Sequence, residues 1–360
     1  MKKIDLKNNF RGKKVIITGH TGFKGSWLVL WLHHLGSKIV GISNNVPTKP
    51  SMFEKLNLKN NCKDIRTNIK DLSTLKKILL KEKPDYLFHL AAQSLVKKSY
   101  FNPINTFETN TLGTLNILES LTKLKKKCTV VLITSDKSYK NLEKKSGYKE
   151  NDILGGHDPY SASKGSAEII IQSYIKSFYK NNKNINIAVA RAGNVIGGGD
   201  WSSDRLIPDC VKSWSKNKVA IIRNPSSTRP WQHVLEALGG YLILAIKLKK
   251  SKRLHGEAFN FGPSLQKQKT VLSLIKIVKK FWLGIKWKLK KKENFYETKI
   301  LKLNCSKSKK YLNWKCVLKF EENIEMLSNW YKLFYSKNTD MKKFSIEQIK
   351  KYQRLMSERL

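Results

Sequence analysis

Two residues of this chain, Tyr160 and Lys164, have the types and the spacing for acid–base chemistry. They begin and end the run YSASK. Residues four positions apart lie on one face of a helix. A cationic ammonium beside a phenol lowers the pKa of the phenol, because the positive charge favours the phenolate. The pair therefore predicts a tyrosine that acts as a general base near neutral pH.

A second polar group consists of Ser135, Asp136 and Lys137. It directly follows an apolar run that ends at Thr134. Parallel α/β sheets place their chemistry at the carboxyl ends of strands, so this position favours a catalytic role. A hydroxyl, a carboxylate and an amine in succession could move protons to and from a substrate. On the residues alone, Asp136 and Lys137 could also form an exposed salt bridge.

A glycine-rich segment, TGHTGFKG, stands between an apolar run and a helical pattern near the start of the chain. Its glycines, Gly19, Gly22 and Gly25, permit a tight turn, close approach of the backbone to a pyrophosphate and close helix packing. The helix N-terminus that follows would present N–H groups to the phosphates. The segment predicts a dinucleotide site, with an ordinary glycine-rich turn as the alternative.

These groups require a scaffold, and the first half of the chain alternates short apolar runs with helical patterns. The predicted strands are Lys14–Thr18, Lys38–Ile42, Tyr86–Leu90, Val130–Thr134 and Asn186–Arg191. The predicted helices are Phe23–Leu35, Leu72–Lys81, Pro103–Thr122 and Pro159–Tyr179. The strands are almost continuously apolar, which is typical of strands that are covered on both faces. This pattern predicts an α/β fold with a Rossmann-type doubly wound parallel sheet.

The alternation becomes irregular after Gly197, where loops rich in Gly, Pro, Asn and Ser begin. We expect residues 11–195 to form a dinucleotide-binding Rossmann domain, with part of 225–250 returning to it. We expect residues 196–355 to form mainly a smaller, C-terminal substrate-binding lobe.

The formal net charge of +43 raises the question of nucleic-acid binding. Only nine of the 70 basic residues are arginine, and the lysines are scattered along the chain. A surface that reads phosphates or bases would use more arginine, because the guanidinium fork suits bidentate contacts. We therefore expect solvated lysines and no nucleic-acid partner. Four of the arginines are clustered between residues 191 and 229, namely Arg191, Arg205, Arg223 and Arg229.

Other sequence features bear on location and metal binding. No apolar run reaches the length of a membrane span, and the first ten residues lack the apolar stretch of a secretory signal. The five cysteines are odd in number and form no CxxC pair, so neither a disulfide framework nor a metal site is predicted. We expect a cytoplasmic protein without a membrane partner.

Taken together, the motifs resemble the extended short-chain dehydrogenase/reductase family. The spacing GxxGxxG after a threonine is similar to the spacing in that family. Longer segments are similar to segments of its sugar-nucleotide dehydratases, in particular the branch that acts on CDP-glucose. These segments include GHTGFKGSW (19–27), TSDKSY (134–139), RAGNVIGGGDW (191–201), DRLIPD (204–209) and RPWQHVLE (229–236). The resemblance runs from about Gly12 to Tyr352 and covers nearly the whole chain.

The resemblance implies NAD as the cofactor. The residues that it implies for cofactor binding are Gly19, His20, Gly22, Phe23, Lys24, Gly25, Asp64, Ile65, Ala91, Ala92, Gln93, Asn110, Tyr160 and Lys164. The chain departs from the pattern at the end of the second strand, where an acid usually holds the adenosine ribose. Ser43 and Asn44 are the candidates for this contact here.

The resemblance also implies a reaction, in which CDP-glucose becomes CDP-4-keto-6-deoxyglucose. Tyr160, activated by Lys164 and assisted by Ser135, would take the proton of the 4-hydroxyl while C4 transfers a hydride to NAD. Lys137 would remove the C5 proton and Asp136 would protonate the departing 6-hydroxyl, before the hydride returns to C6. Asp-Lys at 136–137 resembles the CDP-glucose branch, whereas the dTDP-glucose branch carries Asp-Glu.

For the nucleotide-sugar substrate, the resemblance implies contacts with Gln93, Asn194, Arg205 and Arg229. Arginine suits a diphosphate because one guanidinium group can form two parallel hydrogen bonds with phosphate oxygens. The helices predicted at 103–122 and 159–179 would form the interface of a homodimer, or of a homotetramer built from dimers.

Three alternatives remain on the sequence alone. A sugar-nucleotide 4-epimerase would share the glycine turn and the Tyr-Lys pair but would not need Asp136 and Lys137. A dehydratase could act on another nucleotide sugar, such as dTDP-glucose or GDP-mannose. A non-catalytic redox sensor or nucleic-acid binder with this fold would have no reason to keep the five catalytic residues together.

Overall fold

A parallel sheet forms the centre of the protein, in a computed structural model that describes residues 4–264, 269–289 and 301–360. The strands are β1 (Lys14–Thr18), β2 (Lys38–Ser43), β3 (Lys63–Arg66), β4 (Tyr86–His89), β5 (Cys128–Ile133), β6 (Ile185–Ala192), β7 (Val195–Ile196), β8 (Ala220–Ile222), β9 (Thr228–Arg229), β10 (Gln232–His233), β11 (Ala258–Phe261), β12 (Lys269–Thr270) and β13 (Trp287–Leu289). Seven of them form the sheet, in the order β3-β2-β1-β4-β5-β6-β11. The predicted doubly wound α/β fold is confirmed.

Helices flank the sheet. They are α1 (Leu6–Phe10), α2 (Phe23–His34), α3 (Met52–Lys55), α4 (Leu72–Glu82), α5 (Val96–Phe101), α6 (Pro103–Phe107), α7 (Gly113–Leu121), α8 (Pro159–Tyr174), α9 (Leu206–Trp214), α10 (Val234–Lys250), α11 (Val271–Phe281), α12 (Phe320–Ser336) and α13 (Met341–Arg359). The helix predicted at 103–122 is divided by a π-helical turn over Glu108–Leu112. A second π-helical turn, Ile175–Tyr179, extends α8.

The strands are covered on both faces, as their apolar composition predicted. Successive side chains of a strand point to opposite faces of the sheet. Along β1, Val15 and Ile17 belong to one buried apolar cluster and Ile16 belongs to the other. Each face of the sheet therefore has its own core.

The order of the strands creates a crevice at one position. The chain proceeds outward from β1 to β2 and β3, and then crosses back to place β4 on the other side of β1. Loops that leave the carboxyl ends of β1 and β4 diverge there, and open α/β sheets bind their ligands at such a switch point. The two loops begin at Gly19 and Leu90.

The chain returns to the sheet after residue 195. Helix α10 packs against β5 and β6, and β11 pairs with β6 at the sheet edge. The long apolar run of α10 is almost wholly buried, which explains its composition. Strand β11 thus adds residues 258–261 to the edge of the sheet.

The described residues contain no helix that is long and apolar enough to cross a membrane. Within the same ranges, no group of three or more His, Cys, Asp or Glu side chains is arranged to hold a metal ion.

Candidate active site

The glycine turn between β1 and α2 leaves no space for side chains. Gly19 has a φ of +75°, and a Cβ there would lie 2.7 Å from the backbone nitrogen of Ala91. A Cβ on Gly25 would lie 2.1 Å from the carbonyl oxygen of Gly19. Helix α2 begins after Gly22, which has no side chain to cap the helix. The turn therefore presents bare backbone and a helix N-terminus, the features that suit a pyrophosphate.

His20 lies beside the end of β2, where the sequence has no acid to hold the adenosine ribose. Its ring is fully buried, with Nε2 2.9 Å from Asp64 Oδ1 and Nδ1 3.0 Å from Ser43 Oγ. Burial lowers the pKa of His20 and outweighs the opposing effect of Asp64. Arg66 holds the second carboxylate oxygen of Asp64 at 2.8 Å. The polar groups of Ser43 and Asp64 are thus hydrogen-bonded within the protein, and the neighbouring Ile65 packs against the core.

The loop after β4 is braced by two side-chain amides. The Asn110 amide accepts from the backbone N–H of Gln93 at 2.8 Å and donates to the Gln93 carbonyl at 3.0 Å. It also donates to Ser163 on α8 at 2.9 Å. The Gln93 amide bonds the backbone of Leu95 and the hydroxyl of Thr106. Gln93 and Asn110, which were both predicted to bind ligand, therefore hold the loop containing Ala91 and Ala92 in place relative to α8.

Helix α8 carries Tyr160 and Lys164 in its first two turns. Asp158 caps the helix by accepting from the Ser161 N–H, and Pro159 occupies the first helical position, so the start of the helix is well defined. Tyr160 is 7% exposed and Lys164 is 6% exposed. Tyr160 and Lys164 therefore lie on a buried part of α8.

The pKa of Tyr160 is shifted in the direction opposite to the expected one. Burial raises it to about 12, while a hydrogen bond with Ser135 and the charge of Arg205 lower it. Burial also lowers the pKa of Lys164 to about 8, against the opposing charge of Glu168. Both side chains are removed from water, and burial favours the neutral forms of the phenol and the amine. The pKa of Tyr160 is therefore raised rather than lowered, and the pKa of Lys164 is lowered.

Asp136 lies at the centre of the polar cluster. It is 2% exposed, and Ser135 Oγ donates to its Oδ1 at 2.9 Å. Asn194 Nδ2 lies 3.5 Å from Oδ2, on a residue whose φ is +47°. Lys137 is half-buried next to Asp136, in the helical turn that follows β5. The structure therefore links Tyr160 of α8 to Ser135, Ser135 to Asp136, and Asp136 to Asn194.

A buried ion pair behind the cluster was not predicted. Glu168 and Arg191 are each 1% exposed at their side chains, and their charged atoms are 2.6 Å apart. Glu168 also accepts from the hydroxyls of Thr134 and Ser138. The pair ties α8 to β6 and to the loop after β5, so Arg191 has a structural function. Glu168 and Arg191 are 23 residues apart on different elements, so no local spacing signals their pairing.

The other predicted arginines lie on loops and on β9. Arg205 donates to Asp200 and Ser94, each at 3.0 Å, and its charge reaches Lys24 and Tyr160. Arg229 on β9 is 8% exposed and donates to the Thr228 carbonyl at 2.9 Å. Arg205 thus lies near the polar cluster. A backbone hydrogen bond orients Arg229.

Lys24, the second residue of α2, also faces the cluster. Its ammonium lies 5.8 Å from the centre of the Tyr241 ring. Burial lowers the pKa of Lys24 to about 7; the charges of Lys164 and Arg205 act in the same direction, and Asp136 opposes them. The side chain therefore reaches from the glycine turn toward the polar cluster.

The arrangement is suited to proton transfer beside a bound dinucleotide. A phenol, a hydroxyl and a carboxylate are in hydrogen-bond contact, and two amines with lowered pKa values lie near them. Groups of this kind can both remove and donate protons.

Comparison with known proteins gives the family. A family model described as GDP-mannose 4,6 dehydratase matches residues 16–327. The chain is 43% identical to a CDP-glucose 4,6-dehydratase of Salmonella typhimurium over 331 residues, 91% of this chain and 92% of the relative. Two solved structures share the fold. A dTDP-glucose 4,6-dehydratase of Bacillus anthracis in complex with NAD has a TM-score of 0.73 at 22% identity, covering 91% of this chain and 97% of that one. An epimerase of Methanothermobacter thermautotrophicus has a TM-score of 0.79 at 24% identity, covering 93% and 97%. As its motifs predicted, the chain belongs to the GDP-mannose 4,6 dehydratase family, a sugar-nucleotide dehydratase branch of the extended short-chain dehydrogenase/reductases.

Proposed function

We propose that this protein is an NAD-dependent lyase that converts CDP-glucose to CDP-4-keto-6-deoxyglucose. The observation that carries the proposal is the buried Asp136, which contacts Ser135 and Asn194 beside the Tyr160–Lys164 pair. A 4-epimerase needs the pair but has no use for an additional acid. A dehydratase needs one, because water must leave the sugar after oxidation.

The glycine turn supports NAD as the cofactor. Backbone from Gly19 to Gly25 and the start of α2 would hold the diphosphate, and the braced loop at Ala91 to Gln93 would border the rest of the molecule. When bound, NAD+ supplies an acceptor for the C4 hydride, a positive charge on its nicotinamide ring, and the hydride that C6 later receives. His20, Ser43 and Asp64 form the wall at which the adenosine ribose would lie.

Tyr160 would receive the proton of the sugar 4-hydroxyl. Its pKa of about 12 means that the phenol is protonated at neutral pH in the protein alone. Additional positive charge near the phenol lowers this pKa, and so does the Ser135 hydrogen bond. Lys164 would complete the group by donating to the ligand or to the phenolate. Loss of the proton and of the C4 hydride leaves a ketone at C4.

Asp136 and Lys137 would then carry out the elimination. The C4 ketone acidifies the C5 proton, which Lys137 would remove as a neutral amine. Asp136, in its protonated form, would donate to the 6-hydroxyl so that it departs as water. Asn194 would orient the carboxyl group, because its amide lies 3.5 Å from Oδ2. The elimination forms a C5–C6 double bond, which is reduced when C6 receives the hydride and C5 a proton.

Substrate binding is assigned to the remaining predicted residues. Arg205 and Arg229 would bind the diphosphate, since guanidinium groups form paired hydrogen bonds with phosphate oxygens. Gln93 and Asn194 would line the sugar. We propose residues 196–355 as mainly the substrate-binding lobe and residues 11–195 as mainly the NAD-binding domain, with α10 and β11 joining the latter.

The choice of CDP-glucose is supported by the relative that is 43% identical and is a CDP-glucose 4,6-dehydratase. The test is to incubate the protein with NAD+ and, separately, with CDP-, dTDP-, GDP- and UDP-glucose and GDP-mannose. Nuclear magnetic resonance would identify the product of each reaction. We expect a 4-keto-6-deoxy sugar from CDP-glucose alone.

The other outcomes of this test have distinct meanings. Product from a different nucleotide sugar would keep the reaction and reject the base preference. A galactose epimer in place of a deoxy sugar would establish an epimerase. As a matched control, D136N should still oxidise the sugar but should form far less deoxy product, because the neutral amide cannot donate the proton as a carboxylic acid does.

We further propose a homodimer that forms through α5, α6 and α8. Large apolar side chains are exposed on these elements and their π-helical extensions, including Phe101 at 74%, Ile104 at 73%, Ile169 at 58% and Phe178 at 58%. Apolar patches of this kind mark protein interfaces. A homotetramer would require a second interface.

We also propose a cytoplasmic location, which the five free cysteines support.

A further inference from the structure

A single buried ion pair holds both ends of the turn that follows β5, residues 134–139. At the start of the 134–139 turn, Thr134 Oγ1 donates to Glu168 Oε1 at 2.5 Å. At its end, Arg191 Nη1 donates to the Tyr139 hydroxyl at 2.7 Å. Because Glu168 and Arg191 are paired with each other, the two ends of the turn are attached to one fixed group.

The ion pair has little freedom to move. Nε and Nη2 of Arg191 donate to the two carboxylate oxygens of Glu168 at 2.7 and 2.6 Å. This paired arrangement fixes the orientation of both planar groups. Arg191 Nη1 also donates to the carbonyl of Glu150 at 2.8 Å. Both side chains are 1% exposed, so water does not compete for these bonds.

Helix α8 also packs closely against the 134–139 turn. A Cβ built on Gly165, the residue after Lys164, would lie 3.4 Å from the carbonyl oxygen of Ser138 and 3.2 Å from the nitrogen of Gly155. The hydroxyl of Ser138 closes the turn by donating to the Ser135 carbonyl at 2.7 Å. Hydrogen bonds and steric contact therefore hold the turn against the same helix.

Under the proposed function, the two chemical steps use groups from these two elements. Oxidation at C4 depends on Tyr160 and Lys164, which belong to α8. Elimination depends on Asp136 and Lys137, which belong to the 134–139 turn. All four must reach one sugar ring, and a misplacement of about 1 Å can lower a rate about a hundredfold. The separation between helix and turn therefore matters for the rate of the reaction.

We propose that the Glu168–Arg191 pair is a positioning element that fixes the 134–139 turn relative to α8 for the elimination step. The inference rests on the proposed function, because it requires oxidation and elimination in one site. Neither side chain touches the sugar in this proposal. Glu168 has a second effect, since its charge raises the pKa of Lys164 against the opposing effect of burial.

The test removes the attachments of the turn and leaves the ion pair intact. E168Q would deprive the buried Arg191 of its counter-charge, which destabilises a protein strongly. T134V instead removes one hydroxyl and keeps the shape of the side chain, and Y139F removes the hydroxyl at the other end. T134S keeps the hydroxyl and serves as the rescue variant. T129V is the matched control, since Thr129 is a buried threonine near the start of β5.

The measurement is a single turnover of the NAD-loaded protein with CDP-glucose, followed by the absorbance of reduced nicotinamide. This absorbance rises when C4 is oxidised and falls when the hydride returns to C6 after elimination. We expect T134V and Y139F to slow the fall about tenfold or more and the rise less than about threefold. The KM for CDP-glucose should stay within about twofold, and T134S and T129V should follow the wild-type time course.

Three results would overturn the proposal. Wild-type time courses for both T134V and Y139F would show that the attachments do not affect the reaction. Equal slowing of the rise and the fall would indicate a general loosening of the site. A T134S protein as slow as T134V would show that the hydroxyl is not the relevant group. Failure of the wild-type protein to form any deoxy sugar is a different result, which rejects the proposed function and this inference with it.

Discussion

At the level of single residues, the candidate catalytic cluster depends on the close approach of the Gly193 backbone to the Asp136 carboxylate. A Cβ built on Gly193 would lie 1.8 Å from Asp136 Oδ2, so any larger residue at position 193 would displace the carboxylate. The next residue, Asn194, adopts a left-handed conformation with φ of +47° and directs its amide to the same carboxylate. Packing against Asp136 therefore explains why the segment RAGN has a glycine at 193 and an asparagine at 194. The motif alone did not reveal this contact.

The first prediction concerns the hydroxyl of Tyr160. Y160F should lower kcat by about two to four orders of magnitude, the usual contribution of a positioned acid–base group. The KM for CDP-glucose should change little, because the ring still packs in place. Steady-state kinetics would measure both constants, with Y174F on the same helix as the control, since Tyr174 bonds Glu119 away from the cluster. A Y160F enzyme with near-normal kcat would assign the proton transfer to another residue.

At the level of elements, α8 shows what the sequence predicts and what it does not. The sequence predicted a helix that begins at Pro159 and carries Tyr160 and Lys164 on one face, and the structure has that helix. The direction of the Tyr160 pKa was not predictable, because it depends on how completely the surrounding elements exclude water. The five predicted strands appear with bounds within two residues, since each is a long apolar run.

Elements with weak local patterns were missed. Strand β3 is four residues long and its side chains are only partly buried or exposed, so it carries no apolar run. Strand β11 is recognisable only by its pairing with β6, a contact between distant parts of the chain. The bonds of Asp64 with His20 and of Asn110 with Gln93 likewise join residues far apart in sequence, and no spacing rule reports them.

The second prediction concerns Glu236, at the start of α10. The side chain is 1% exposed, accepts from the N–H groups of Val317 and Leu318, and bonds the hydroxyl of Tyr352. Burial raises its pKa from 4.5 to about 7. A raised pKa in the folded state means that the stabilising contribution is present below the unfolded-state pKa and is lost as the pH rises through 7.

Glutamine at position 236 would remove this titration while keeping the shape and the hydrogen bonds. The free energy of unfolding of E236Q, relative to wild type, should therefore increase by about 2 kcal/mol between pH 5 and pH 8. Denaturant unfolding at the two pH values would measure it. E358Q is the control, because Glu358 is exposed on α13. A constant difference between E236Q and wild type at both pH values would contradict the raised pKa.

At the level of the whole molecule, the net charge of +43 acts against self-association. Two such chains repel each other, and salt reduces this repulsion because it screens exposed charges. In the proposed dimer, the hydrophobic free energy gained by burying the apolar residues on α5, α6 and α8 would have to exceed this repulsion. Dimerisation should therefore strengthen as salt is added, the opposite of what binding to nucleic acid would show.

The third prediction follows from this balance. The double variant F101S/I104S removes two side chains that are 74% and 73% exposed in the single chain, without adding charge. Each would lose roughly 1.5–3 kcal/mol of hydrophobic stabilisation per subunit if buried in the dimer. We expect sedimentation velocity to show wild type as a dimer at moderate salt and the variant as a monomer. L283S is the control, because Leu283 is 81% exposed but lies outside these helices. If F101S/I104S remains as dimeric as L283S, the subunits associate through another surface, and the apolar face on α5, α6 and α8 has a different partner.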